Sequence, residues 1–515
     1  MSEALAFAFF RAERRAQGWV THGLDHVRFG HRYAVPGRAE PEGLYGGWRY
    51  RDGTLEAEVD RLGFCNLFYW QSADGLSISP SPLQLIAEGA PAALDDRALG
   101  VFLRIGLFLN QDTPFREIHV LPPGGRLVWK DGRMRVTGEA RPEREVAISR
   151  ERALEGFVDL TRQAVARARA SSGREAIVPL SGGRDSRHLL FELERQGAPP
   201  VECVTYDHGG ASCGAEVEAA RRAAEAVGVP HRVLEAPRSR HRDVLRGLVL
   251  THLCSDEHSQ MLPLREYCRG RPLATVDGIA GDVLSRNGRF SDERAHELGR
   301  RGAFEAMARA QMAGHARVIG GASPVDLYGE AEARRRFPED ETVEYIARTI
   351  ARFADTADPF SAYLFWNRTR REISLAPQGI LADVDPVLCP YLDSDLVRFL
   401  GSLPFSVTRG GRFHDDAIAA AFPQHADLPY HDQLEATARV ASPWARMRTL
   451  VQGYGVVARV APRRLVPDAL AMLGLGVARA TRQGRDLLRF HQMCLVELDP
   501  GRARRLLRIA GRLDG

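Results

Sequence analysis

The sequence predicts an α/β protein whose centre is a doubly wound parallel sheet. Three observations carry this expectation. The hydrophobic period changes near residue 151, from short alternating runs to a helical repeat. Short apolar runs then alternate with helix-like stretches up to residue 277, the pattern of parallel strands joined by crossover helices. One of those runs, in "IVPLSGGRDSRHLL" (177–190), passes through two glycines straight into a helical pattern.

Taken in order, residues 1–140 are rich in glycine, aromatics and alternating runs such as "GRLVWKDGRMRV", with Gly132 at a hairpin turn. This region reads as mostly β with short helices. "RPEREVAISR" (141–150) is charged, contains Pro142 and makes a linker. "ERALEGFVDLTRQAVARARA" then places Leu154, Phe157, Val158, Thr161, Ala164, Val165 and Ala168 on one helical face. "AIVPL", a helix over 186–196, "VECVTY", a helix over 214–227, "HRVLEA" and "LATVD" (273–277) complete the alternation. Pro179 cannot donate to a central ladder and predicts a bulge before the loop. Beyond about 285 the chain reads as helical and arginine-rich. These textures divide it into a first domain (1–140), a linker (141–150), an α/β domain (151–430) and a helical arginine-rich extension (431–515).

Composition excludes several classes. No run approaches the length of an apolar membrane span, and the start, "MSEALAFAFFRAERR", has no basic leader before its apolar core, so a cytoplasmic protein is expected. A net charge of +4 is too small to imply nucleic acid as a partner. The 7 cysteines lack CxxC spacing, which argues against a disulfide framework or a zinc site. Lys130 is the single lysine, so any chemistry that needs an amine has only that residue to draw on.

A strand, a glycine turn and a helix start together make an anion site, because bare N–H groups and the helix dipole both face the ligand. Ser181 and Ser186 add hydroxyls, and Gly182 and Gly183 let the main chain approach closely. Asp185 inside such a loop would repel phosphate unless a cation stands between them, which points to Mg²⁺. A second acid belongs at a neighbouring strand end, and "LATVDGIAGDVLSRNG" (273–288) supplies Asp282 after Gly278 and Gly281. Either acid alone reads equally well as a helix cap. Both together, each beside paired glycines after a strand, favour a shared metal.

At this point the residues resemble a known family. SGGxDS is similar to the pyrophosphatase loop of enzymes that split ATP between its α and β phosphates. "CPYLDSDLVRFLGSLPFSVTRGGRFHDDAIAAAFP" (389–423) looks like the C-terminal run of the asparagine synthetase family, with its PFLD, SLP and GR(T)K elements. "DRLGFCNLFYWQSADGLSISPSPLQLI" (60–86) and "FREIHVLPPGGRLVWKDGR" (115–133) resemble that family's glutaminase-like domain. The likeness covers about 1–430 and implies an N-terminal glutamine-amidotransferase-like (Ntn) β sandwich ahead of an ATP-pyrophosphatase domain. It implies ATP and Mg²⁺ as cofactors, with Asp185 and Asp282 on the metal. Leu180, Ser181, Gly182, Gly183, Asp185, Ser186, Val204 and Gly278 would surround the nucleotide. The substrate pocket would lie near Asn367, Arg368 and Arg371.

The pattern also breaks. The family's N-terminal cysteine is replaced by Ser2, so the first domain is expected to be an inactive scaffold, in the manner of the β-lactam synthetases and lasso-peptide cyclases. Ile279 and Val283 stand where amide-forming members carry acids. His414 occupies the place of the family's lysine, leaving His414 as imidazolium, or Arg412, to supply charge. The expected activity is an AMP-forming amide ligase that joins a small-molecule or peptide carboxylate to an amine without hydrolysing glutamine. Its partners would exclude nucleic acid and membrane and allow a homodimer. The alternative is a degenerate nucleotide-binding homologue with a regulatory role. A tRNA-modifying adenylating enzyme that shares the loop ranks third.

Overall fold

The computed structural model describes residues 8–207, 213–234, 240–255, 258–318, 328–384, 386–434 and 491–512, with isolated positions at 444, 447, 451 and 455. Ser2 and most of the arginine-rich 435–490 stretch lie outside them. The chain is mixed α/β, with two antiparallel sheets ahead of one parallel sheet.

The first ten strands are β1 (Phe10–Arg15), β2 (Gly18–Gly23), β3 (His26–Tyr33), β4 (Glu42–Arg51), β5 (Thr54–Val59), β6 (Phe68–Ser72), β7 (Gly75–Ser79), β8 (His119–Val120), β9 (Arg126–Lys130) and β10 (Arg133–Thr137). They form two five-stranded sheets, ordered β2-β1-β7-β6-β8 and β10-β9-β5-β4-β3. Phe10, Leu76 and Ile78 from the first sheet share one apolar cluster with Trp48, Leu55, Leu127 and Trp129 from the second. Two faces that each bury alternate residues against the other make a sandwich. The β9–β10 hairpin turns through Asp131 (φ 49°) and Gly132 (φ 81°), as Gly132 predicts.

Residues 141–149 have no regular structure, and the helix Arg150–Ser172 follows. The Ser149 side chain caps its first turn, and Gly173 (φ 60°) ends it in the left-handed conformation. It buries Ala153, Phe157, Thr161, Ala164, Val165 and Ala168, while Leu154 and Val158 sit half-buried at its margin. Each large apolar side chain taken fully out of water contributes about 1.5–3 kcal/mol, so this face is what fixes the helix to the sheet.

The parallel sheet contains β11 (Ala176–Pro179), β12 (Glu202–Tyr206), β13 (His231–Leu234), β14 (Ala274–Val276) and β15 (Val387–Leu388), in the order β13-β12-β11-β14-β15. The helices Asp185–Arg195 and Cys213–Ala226 fall within one residue of their predicted spans. Both faces are covered. Ala176 and Val178 meet a cluster that contains Phe157 and Val165, whereas Ile177, Val204 and Val387 meet Leu262, Leu264 and Ile380. The bulge expected at Pro179 does not occur. Pro179 closes β11 in unbroken register with Val204, two residues beyond the last β14 partner, Ile177, so β14 makes no use of its missing N–H. β15 escaped the sequence reading because two residues carry no period.

Among the described residues beyond 285 the chain is largely helical, as expected, and its last described helix returns to the β region. The helix Pro500–Arg512 buries Ala503, Leu506 and Leu507 in a cluster with Leu83, Leu85 and Ile86 of the helix Pro82–Ala87. Among the described residues no helix is long and apolar enough to cross a membrane.

Candidate functional site

β11 is the switch point of the parallel sheet, because β12 continues on one side of it and β14 on the other. Loops that leave adjacent strands here diverge and open a crevice at the strand ends, where ligands collect in open α/β sheets. The loops after β11 and after β14 carry the two acids expected to share a metal.

The β11 loop, residues 180–184, is braced by its own hydroxyls. Ser181 N–H donates to Ser186 Oγ (3.0 Å), the two hydroxyls lie 3.1 Å apart, and Gly183 N–H donates to Ser181 Oγ (3.2 Å). Leu180 N–H donates to the Val204 carbonyl (2.9 Å), and the Leu180 carbonyl accepts from Thr205 Oγ1 (2.6 Å). These bonds fix the loop to β12. Gly182 is required sterically, since a Cβ there would sit 2.6 Å from His431 Cβ and 2.9 Å from Glu216 Cα. The helix that follows has no side-chain N-cap, which leaves the positive end of its dipole toward the loop.

Asp185 and Asp282 meet. Asp282 N–H donates to Asp185 Oδ2 at 3.0 Å although the residues are 97 apart in sequence. The glycines of the β14 loop make room for this: a Cβ on Gly281 would lie 2.6 Å from Asp185 Cγ, and one on Gly278 would lie 3.0 Å from Asp185 Cβ. Ala280 accepts φ 75° to complete the turn. Asp185 Oδ1 is buried without a hydrogen-bond partner. Burial, and then the Asp282 carboxylate, hold the Asp185 carboxyl well above its usual range. An orphaned carboxylate oxygen beside a second carboxylate suits a hard divalent cation. Among the described residues no three metal-ligating side chains converge, so protein atoms would supply only part of a coordination shell. A Mg²⁺ ion held by two acids and completed by phosphate oxygens has that character.

Asp277, at the end of β14, is a third acid that the sequence reading passed over. Its Oδ1 accepts from Ile279 N–H (2.8 Å), and burial raises its carboxyl too. Its place one residue before Gly278 was the signal that could have found it.

The expected charge donors are not where the sequence put them. His414 is fully buried. It lies beside Asp185 (Nδ1 to Oδ1, 3.4 Å), His188 (3.1 Å), Tyr391 (3.3 Å) and Ser285 (3.3 Å). Burial, with His188 and Arg184 nearby, lowers its pKa well below the ordinary imidazole range. Burial thus works against the imidazolium expected at this position. Arg412 is exposed, 4.0 Å from Asp416 Oδ1, and lies outside the cluster. Lys130 is exposed on β9. The cation in the loop is Arg184, which donates to Asp415 (2.7 Å) and Asp432 (2.8 Å). Arg184 lies within the SGGxDS signature itself, at the one position the motif leaves free.

The side chains expected near the substrate are engaged with other protein groups. Arg371 is buried and donates to Asn66 Oδ1 (2.8 Å) and the Asp112 carbonyl (2.5 Å), and Asn367 Oδ1 accepts from Asn110 N–H (2.9 Å). Arg368 is half-buried, 3.5 Å from Glu372. Arg371 and Asn367 tie the π-helical stretch Phe365–Ile373 to the N-terminal β region. Ile279 and Val283 are buried and apolar, so neither is a base.

No protein-family model matches the chain. Among curated proteins it is similar to the tRNA-specific 2-thiouridylases MnmA of Methylobacterium nodulans and Methylorubrum extorquens. The first is 28% identical over 237 residues, covering 43% of this chain and 57% of the relative. The second is 28% identical over 231 residues, covering 42% and 54%. The chain spans little more than half the length of the curated relatives it matches.

Proposed function

We propose that the chain is an ATP-dependent, AMP-forming amide ligase of the asparagine synthetase type that does not hydrolyse glutamine. The observation that carries this reading is the contact of Asp185 with Asp282 at the switch point, beside a serine- and glycine-built loop. The β sandwich ahead of the parallel sheet supports it further, because that order of parts is the one the sequence resemblance implies.

The chemistry follows from the leaving group. A carboxylate is a poor electrophile because displacement would expel oxide. Its oxygen instead bonds to the α-phosphorus as the Pα–O–Pβ bond breaks, which releases pyrophosphate and gives an acyl-adenylate. An amine then adds to the acyl carbon, AMP departs with the bonding pair, and the amine loses a proton. The loop 180–184 and the helix start would cradle the pyrophosphate, and Asp185 and Asp282 would hold Mg²⁺. When bound, Mg²⁺ would neutralise charge on the departing pyrophosphate. Preorganised charge of this kind commonly contributes more to catalysis than any other single effect.

The 2-thiouridylase relatives favour a second reading, sulfur transfer to tRNA. Burial pushes the Cys203 thiol up to about 12 and Cys389 well above its ordinary value. Burial disfavours the thiolate at both positions, Cys203 within β12 and Cys389 just after β15, and the β sandwich ahead of the parallel sheet supports amide formation as the first reading. A degenerate, nucleotide-binding role is the remaining alternative.

The test is product release. Full-length protein with Mg²⁺·ATP and a panel of carboxylates and amines is expected to form AMP and pyrophosphate, and Asp185→Ala to abolish both. Release equal to that of the variant across the panel would favour the binding role. Release that depends on tRNA and a sulfur donor would favour thiolation.

A further inference from the structure

The turn His431–Gln433 lies against the glycine loop. His431 N–H donates to the Gly182 carbonyl (3.0 Å), and Tyr430 packs under two guanidinium groups, 4.3 Å from Arg184 and 4.1 Å from Arg187. Arg187 is committed to the carbonyls of Leu428 (2.9 Å) and Pro429 (2.7 Å). Arg184 differs, because both of its partners are carboxylates. Asp415 is mostly buried and accepts from Nε, whereas Asp432 is about half exposed (48%) and accepts from Nη1. An exposed ion pair contributes little and exchanges readily.

Arg184 stands between Gly183 and Asp185, within the loop that would receive the phosphates. The charge donors expected from sequence are a fully buried imidazole enclosed by His188, Tyr391 and Ser285 and an exposed arginine outside the cluster. We propose that Arg184 is the cation that meets the pyrophosphate group of a bound nucleoside triphosphate, and that Asp432 occupies the phosphate's place on its guanidinium until the nucleotide arrives. This rests on the adenylating reading above. Asp415 keeps the guanidinium aimed while Nη1 changes partner from one anion to another. No bond to carbon or phosphorus is involved, only the replacement of a carboxylate by a phosphate oxygen, and a guanidinium fork suits both.

Calorimetric titration of Mg²⁺·ATP into the full chain tests it. Asp432→Asn removes the competing anion and is expected to tighten binding about two- to fivefold. Arg184→Gln is expected to weaken it about tenfold or more, with Arg184→Lys between, because a charge-assisted hydrogen bond is lost. In Arg184→Gln, the added Asp432→Asn is expected to change nothing, because its effect runs through the guanidinium. Unchanged or weaker binding by folded Asp432→Asn overturns the proposal, as does an effect that persists without Arg184. Where Arg184→Gln does not fold, Asp432→Asn on the natural background decides alone. If the natural protein binds Mg²⁺·ATP in an Asp185-dependent way while Asp432→Asn is neutral, only this inference falls. If the natural protein binds no Mg²⁺·ATP, the adenylating reading falls with it.

Discussion

Gly281 is the residue on which the candidate site most visibly depends. Its missing side chain is the space that Asp185 fills, with Cγ 2.6 Å from where a Cβ would stand. All three nearest atoms belong to the Asp185 carboxylate, so that carboxylate would have to move. Gly281→Ala is expected to cost about 1–3 kcal/mol in a denaturant melt through overpacking. It should also weaken Mg²⁺-dependent ATP binding about tenfold or more by displacing the Asp185 oxygens. Gly228→Ala is a control for general glycine effects, since nothing lies within 4 Å of its ideal Cβ, although its φ of 68° will itself cost some stability. Equal binding by natural protein and Gly281→Ala would remove Asp185 from the site. Sequence alone singled out this glycine and both acids, which the structure brings together, because a strand end, paired glycines and a carboxylate form a local pattern. It misjudged His414, whose neighbours His188, Ser285 and Tyr391 come from three separate elements and leave no spacing to read.

At the scale of elements, the helix Arg150–Ser172 supports the site from below. The Phe157 ring packs edge-on against His188 (5.6 Å) and His414 (5.0 Å) and stacks on Phe413 (5.6 Å). Phe157→Ala is expected to cost about 3–5 kcal/mol in equilibrium unfolding, as for other large-to-small core changes. A cost under 1 kcal/mol would mean that the helix does not buttress the cluster. Phe157 was legible because seven apolar or small residues recur at helical spacing around it. Leu154 and Val158 were placed on the same face but fall at its edge, and Ala153 lies inside instead. The stripe's width followed from period, but its exact direction depends on the partner helices. The Pro179 bulge failed for a similar reason: the sequence shows the missing donor, whereas strand pairing decides whether that donor was needed. The family resemblance puts Arg371 near the substrate, but its burial against Asn66 and Asp112 depends on how the β region folds back.

At the scale of the molecule, the last described helix returns to the β region and closes a cluster that joins 83–108, 244–254 and 493–507. His491 sits at this seam. Its Nε2 lies 2.8 Å from the Leu253 carbonyl, its ring stacks on Phe102 at 4.4 Å, and burial lowers its pKa from 6.5 to about 4. Between those values the unfolded chain binds a proton that the folded chain does not, so stability is intact above about 6.5 and lost as pH falls toward 4. Each pH unit in that window is expected to cost about 1.4 kcal/mol through this group. His491→Gln should flatten the dependence by that amount in melts from pH 7 to 4.5. An unchanged slope would place the proton uptake elsewhere. Truncation before 491 should likewise expose Leu83, Leu85 and Ile86 and lower Tm.

Adenylation at this site requires one divalent ion shared by Asp185 and Asp282. The most direct measurement is the affinity of the full chain for ATP with and without Mg²⁺, compared between the natural protein and Asp282→Asn. The account predicts that Mg²⁺ tightens ATP binding in the natural protein and that the variant, still folded, loses most of that gain. An undiminished Mg²⁺ effect in Asp282→Asn would contradict it.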